Sequence, residues 1–109
     1  MATDPAFEIS QVTDMRWETE FQNVLIEFII KRGHGVWLLD PARLKGGGIP
    51  DLLVVTKDGR ALFRELKTDV GHVDARQEEI IKKMRSHGAD VDVWRPRDFS
   101  GGSIGGELD

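Results

Sequence analysis

The chain has 109 residues and a mass of 12.3 kDa, which is enough for one small domain with a single hydrophobic core. With 39% hydrophobic and 31% charged residues its composition is that of a globular protein, and no apolar run is long enough to cross a membrane. The chain has no cysteine, which excludes disulfides and thiolate zinc sites and suits a reducing interior such as the cytoplasm, while its net charge of -4 argues mildly against wholesale binding to nucleic acid.

The N-terminal part predicts one amphipathic helix followed by one strand. From Trp17 to Ile29 the apolar residues recur at spacings of three and four, and a Lys-Arg-Gly sequence typical of helix ends follows. Thr13 or Asp14 is a suitable N-cap for this helix. Residues 36–39 then form a short apolar run that predicts a strand.

The middle of the chain predicts a β-hairpin. Glycines 46–48 indicate a flexible loop, and an apolar run at 52–55 predicts the next strand. Because Asp58-Gly59 is the signal of a tight turn, we expect the strand at 61–67 to return antiparallel beside it.

The remaining part predicts a helix at 74–87 and a strand at 91–94, and the helix can act as a crossover that makes this strand parallel to the one before it. Together the elements predict an α/β fold, a mixed sheet of α-β-β-β-α-β order with helices packed against it. We expect residues 1–12 to be a flexible arm, 13–99 to form the domain, and the glycine-rich segment 100–109 to be a disordered tail.

Three charged residues are expected to meet at one end of the hairpin. Asp51 comes directly before the second strand, while Glu65 and Lys67 alternate on the third and therefore share a face. Two carboxylates about 4 Å apart repel by roughly 4 kcal/mol at an effective dielectric near 20, so such a pair requires a cation. Mg²⁺ is suitable because it binds through one or two carboxylates and keeps several waters.

The sequence Gly48-Ile49-Pro50-Asp51, followed by Glu65-Leu66-Lys67 and by Gln77, resembles the PD-(D/E)XK nuclease superfamily and, within it, the VRR-NUC family. The resemblance extends from about residue 18 to residue 97 and implies a restriction-endonuclease-like core. It further implies hydrolysis of phosphodiester bonds in DNA, including branched DNA, with Mg²⁺ or Mn²⁺ as cofactor.

The resemblance also assigns roles. It implies that Asp51, Glu65 and Leu66, together with an acid on the first helix, hold the metal, and that Lys67 acts on the attacking water with Gln77 as a further catalytic residue. For the helix acid, helical periodicity leaves Glu18 and Glu20 equally possible. The local Thr-Glu-Phe-Gln sequence resembles the first-helix motif of the family and favours Glu20, with Glu18 as the alternative.

The same residues also have interpretations in which they serve the structure alone and not catalysis. Asp51 could cap a turn, and Glu65 with Lys67 could be a solvated pair on an edge strand. Asp74 and Gln77 have the spacing of a capping box, and Gln77 also shares a face with the apolar residues of its helix, so both roles can hold at once. The three tryptophans are expected to be core or interface aromatics.

At the level of function, the alternative to a nuclease is a non-catalytic DNA-binding or assembly module on a nuclease scaffold. In either case the expected partner is DNA rather than a membrane. A homodimer would give so small a domain enough surface to hold a duplex. The resemblance to the compact form of the family implies a phage or bacterial source, with the protein in the cytoplasm of the bacterial cell or infected host.

Overall fold

The computed structural model describes residues 18–40 and 47–109, so the expected N-terminal arm and the segment 41–46 lie outside the described residues. The elements in chain order are α1 (Glu18–Lys31), β1 (Gly35–Leu38), β2 (Leu52–Val55), β3 (Ala61–Leu66), α2 (Ala75–Ser86), β4 (Asp90–Trp94), α3 (Pro96–Ser100) and α4 (Ser103–Leu108). The first six follow the predicted order. The longest described helix, α1, has 14 residues, and neither it nor any other described helix could span a membrane.

The four strands form one mixed sheet in the order β1-β2-β3-β4. The first three strands are antiparallel to their neighbours, whereas β4 lies parallel to β3. Because α2 connects β3 to β4, it is the crossover that a parallel pair requires. The predicted hairpin and the predicted parallel pairing are both confirmed.

The turn between β2 and β3 fixes the register of the hairpin. Gly59 has φ of +88°, a conformation that residues with a Cβ rarely adopt. The Thr56 hydroxyl and the Arg60 guanidinium donate hydrogen bonds to the Asp58 carboxylate, and these bonds hold the pKa of that carboxyl below its ordinary value. The turn thereby determines which residue of β2 stands opposite which residue of β3.

One face of the sheet packs on α1 and forms the hydrophobic core. The sheet contributes the even-numbered residues of the hairpin, and α1 contributes its predicted apolar stripe. The buried residues of this core are Phe21, Leu25, Ile29, Leu52, Val54, Leu62, Leu66 and Trp94. Apart from position 17, which lies outside the described residues, the spacing of three and four read from the sequence therefore identifies the buried side of α1 correctly.

The opposite face, formed by the odd-numbered residues, is partly covered by α2. Ile81 of α2 and Val91 of β4 are both buried. At the start of α2 the predicted capping box is present, since Asp74 accepts a hydrogen bond from the Gln77 amide and Gln77 accepts one from the Asp74 amide. The β1 and β2 part of this face is not covered by a described helix.

The prediction of a disordered tail at 100–109 is wrong. Residues 103–108 form α4, in which Ile104 and Leu108 are 0% and 2% exposed. Two apolar residues four positions apart are enough to attach one helical turn to the core, although the four glycines around them conceal the pattern.

A buried guanidinium explains the position of α4. Arg64 is 2% exposed in the middle of the core face, where an unpaired charge would be very costly. Its Nη2 lies 2.8 Å from Glu107 Oε1 on α4 and 2.9 Å from Asp90 Oδ1. The other oxygen of Glu107 accepts a hydrogen bond of 2.9 Å from the indole nitrogen of Trp94. The last helix therefore supplies charge compensation as well as apolar contact.

This network makes a prediction about stability. Replacing Glu107 with alanine should lower the free energy of unfolding by about 3 kcal/mol, because it leaves the buried Arg64 without one of its carboxylate partners. Glu78→Ala is the matched control, since Glu78 pairs with Lys82 at the surface, with both side chains more than half exposed. It should cost less than about 1 kcal/mol. Equal urea midpoints for the two variants would contradict the assigned role of Glu107.

Candidate active site

The predicted acidic residues lie side by side at one end of the hairpin. Leu52 is paired with Arg64, and extending this register by one pair sets Asp51 opposite Glu65. Residues that stand opposite each other in an antiparallel pair share a face, with Cβ atoms about 4.5 to 5.5 Å apart. The two side chains therefore leave the sheet on the same face, which is the face that α2 partly covers.

The Asp51 carboxylate takes the place of a backbone partner where the ladder ends. The Lys67 amide donates to Trp94 O at 3.1 Å, so the main-chain groups of Leu66 point the other way, toward the β2 side. The Leu66 amide donates there to Asp51 Oδ2 at 2.8 Å. Its backbone partner in a continued ladder would be Pro50, which has no N–H. Residue 50 therefore cannot donate a hydrogen bond to the Leu66 carbonyl.

Pro50 is the residue that sequence reasoning missed. It is fully buried, and its importance lies in the donor that it lacks rather than in a group that it supplies. A signal was present in the sequence, because counting the register back from the Asp58-Gly59 turn sets residue 50 opposite residue 66.

Glu65 is buried, and cationic and polar donors surround its side chain. The Gln77 side-chain amide donates to Glu65 Oε1 at 2.9 Å, and Lys67 Nζ lies 3.8 Å from the same oxygen. A buried carboxylate is costly unless such partners compensate it. The structure thus brings Asp51, Glu65, Lys67 and Gln77 into one cluster.

The capping box fixes which end of Gln77 meets Glu65. Gln77 Oε1 accepts from the Asp74 amide at 3.1 Å, which leaves the side-chain NH₂ to face the carboxylate. The prediction that Gln77 both caps its helix and points toward the sheet is confirmed. The site therefore has a helix terminus as its support.

The connector between Lys67 and α2 is held from the end of β4. Arg95 Nη1 donates to Thr68 O at 2.7 Å and to Gly71 O at 2.6 Å. The Arg97 amide donates to Asp69 Oδ1 at 3.0 Å. These bonds order the short segment that separates Lys67 from Gln77.

Glu20 lies at the same end of the sheet but outside the cluster. A short turn joins the C-terminus of α1 to β1, and α1 packs antiparallel on the sheet, so its first turn is near the end where Asp51 lies. The Glu20 side chain is exposed and makes no hydrogen bond or ion pair with the described residues. The side chain of the alternative residue, Glu18, is not among those described.

The arrangement offers a small set of hard oxygen donors. Within residues 18–40 and 47–109, no three Asp, Glu or His side chains converge as a metal-binding group. The available set is the Asp51 and Glu65 carboxylates and the Leu66 carbonyl. Such a set fits Mg²⁺, which typically uses one or two carboxylates and keeps several waters.

The mixed four-stranded sheet, with an acid at the start of β2 and a glutamate and lysine at the end of β3, defines the class as the PD-(D/E)XK nuclease fold. Within this class the chain belongs to the VRR-NUC nuclease family, because the VRR-NUC domain model matches residues 11–98. No curated protein matches the chain.

Two solved VRR-NUC structures have a similar fold. One VRR-NUC domain superposes with a TM-score of 0.67 at 26% identity, covering 80% of this chain and 94% of the other. A second VRR-NUC domain protein gives a TM-score of 0.63 at 19% identity, covering 84% and 86%. A Holliday junction resolvase from Archaeoglobus fulgidus gives 0.49 at 20% identity, covering 71% and 67%.

The end of the ladder can be tested directly. In Pro50→Ala the new amide should pair with the Leu66 carbonyl and exchange slowly with deuterium, as measured by NMR. Pro96→Ala is the control, because Pro96 is also buried but begins α3, where the first amides need no partner within the helix. If the amide of residue 50 exchanged as fast as that of residue 96, the Leu66 carbonyl would not be oriented as described.

Proposed function

We propose that this protein is a metal-dependent endonuclease that hydrolyses phosphodiester bonds in DNA. The observation that carries the proposal is the convergence of Asp51, Glu65 and Lys67 at one end of the β2–β3 hairpin. A solvated surface pair would not explain it, since Glu65 and Lys67 side chains are only 3% and 12% exposed. Membership in a nuclease family supports a catalytic role for that buried cluster.

Asp51, Glu65 and the Leu66 carbonyl would hold the cation, which we take to be Mg²⁺ or Mn²⁺. When bound, such an ion polarises a phosphate oxygen and makes an attacking water more acidic. Two crowded carboxylates and a carbonyl without a donor from residue 50 are what a hard cation needs from a protein. Glu20 is our candidate for a further acid from α1, with Glu18 as the alternative.

Lys67 would orient the attacking water and stabilise negative charge that develops on the phosphate. Its ammonium is kept near the reacting centre because Glu65 Oε1 lies 3.8 Å from it. Gln77 would hold the same carboxylate oxygen through its NH₂ group and so keep the Glu65 side chain in one orientation.

The proposed substrate is DNA, and structured forms such as branched junctions are the first candidates. A homodimer would present two sites to two strands and is part of the same proposal. The reaction would take place in the cytoplasm of a bacterial cell or of a phage-infected host, in keeping with the absence of cysteine.

Cleavage assays test the proposal. Supercoiled plasmid and branched oligonucleotides are incubated with Mg²⁺, with Mn²⁺ or with chelator, and cutting should require the metal. Asp51→Asn and Lys67→Ala should each lower the rate at least about 100-fold. Asparagine can still accept the Leu66 amide, so Asp51→Asn removes the charge without removing the hydrogen bond.

The matched control is Lys31→Ala, because Lys31 is a half-exposed lysine at the far end of α1 and pairs with Glu27. It should cut at the wild-type rate. Cutting that persists in Asp51→Asn and Lys67→Ala would identify a contaminating nuclease, and binding without cutting on every substrate would identify a non-catalytic DNA-binding module.

Thermal melting tests the metal site independently of activity. Saturating Mg²⁺ or Mn²⁺ should raise the melting temperature by several degrees, because the ion binds only the folded arrangement of the carboxylates. Glu65→Gln should lose most of this rise, whereas Glu79→Gln, which removes an exposed acid on α2, should keep it. An equal rise in the wild type and in Glu65→Gln would show that the ion binds elsewhere.

A further inference from the structure

An exposed tryptophan lies on the same face of the sheet as the proposed active site. Trp37 of β1 stands opposite Leu53, which stands opposite Phe63. This row of residues is the neighbour of the row that contains Asp51 and Glu65, two positions further along the strands. At 55% exposure, Trp37 is not the core residue that its type suggests.

The separation suits a contact with the substrate. With strands about 4.8 Å apart and a rise of about 3.4 Å per residue, the Cα of Trp37 lies about 8 Å from that of Asp51 and about 12 Å from that of Glu65. Stacked bases are about 3.4 Å apart along one strand. These Cα distances correspond to about two to four base steps. The ring is turned toward Gly35 and so lies somewhat further from the carboxylates than its own Cα.

The indole ring of Trp37 packs against Gly35, where there is no side chain. A Cβ atom at residue 35 would lie 2.8 Å from Cη2 of Trp37 and 3.0 Å from its Cζ3, which is too close for a real contact. The six-membered ring thus rests against the backbone of its own strand, and the rest of the side chain faces outward. The glycine permits this position, because any larger residue would push the ring away.

The surroundings favour a single planar ligand over a protein surface. The other large apolar residues that are exposed in the described chain lie elsewhere: Ile30 on α1, Leu38 on the opposite face of β1 and Val70 on the connector after β3. A stable dimer needs about 800 Å² from each partner. On the face that carries Trp37 the neighbouring Leu53 and Phe63 are partly buried, so among the described residues Trp37 is the one large apolar side chain exposed there. One base needs only one exposed ring.

We propose that Trp37 stacks on an unpaired nucleobase of the DNA strand that is cut, within a few nucleotides of the scissile bond. The inference rests on the proposed function and adds a substrate subsite to it. Aromatic side chains stack on all four bases, so the contact holds a single-stranded or frayed segment without reading its sequence. It would favour substrates in which bases near the cleavage point are unpaired.

The test measures binding of a fluorescently labelled branched oligonucleotide by anisotropy, with chelator present so that nothing is cut. Trp37→Ala should weaken binding about tenfold, whereas Trp37→Phe should retain most of the affinity. Leu38→Ala is the matched control, because Leu38 is equally exposed on the adjacent residue but faces the other side of the strand. It should bind like the wild type.

Two further measurements separate stacking from a structural effect. Gly35→Ala should weaken binding while keeping the indole, because the new methyl group displaces the ring. An abasic site scanned along the oligonucleotide should, at one position, abolish the difference in affinity between the wild type and Trp37→Ala. The metal-induced rise in melting temperature should be unchanged in Trp37→Ala.

Equal binding by Trp37→Ala and Leu38→Ala would overturn the subsite. So would sedimentation data in which Trp37→Ala converts a dimer into a monomer without DNA, because the face would then be an interface between two copies. If metal-dependent cleavage at saturating DNA survives in Trp37→Ala, either result removes the subsite alone and leaves the proposed nuclease function intact.

Discussion

The organisation of this protein depends on how the β2–β3 ladder ends. At this point the Leu66 amide donates to the Asp51 side chain rather than to a main-chain oxygen, and Pro50, which has no N–H, cannot donate to the Leu66 carbonyl. This hydrogen bond attaches the Asp51 carboxylate to the end of β3 and sets it beside Glu65. A break in regular secondary structure thus creates the polar end of an otherwise apolar sheet.

β3 carries two buried charges on adjacent residues, and the two faces of the sheet compensate them in different ways. Arg64 points into the core, where Glu107 and Asp90 neutralise it. Glu65 points to the opposite face, where Gln77 and Lys67 surround it. In both cases a residue outside the hairpin supplies a partner. The helices are therefore polar partners of the strand as well as covers for its apolar surface.

Much of the fold could be predicted because its signals are local. The stripe on α1, the Asp-Gly turn and the capping box at Asp74 each depend on residues within a few positions of one another. α4 could not be predicted, because its attachment depends on Arg64, a residue far away in sequence that looks like an exposed strand cation. The grouping of Asp51 with Glu65 and Lys67 was predictable from alternation and turn position. Trp37 was not, because strand periodicity gives its face but not whether a helix covers that face.

The two ends of the Gln77 side chain connect the acidic cluster to the first turn of α2. One end closes the capping box and the other holds Glu65, so fraying of that turn releases both hydrogen bonds together. By linkage, whatever immobilises the Glu65 carboxylate also makes local opening of the helix terminus less favourable. The hydrogen bond from Gln77 to Glu65 therefore lasts only while the first turn of α2 is formed. Helix–coil transitions of such a turn are far faster than global unfolding.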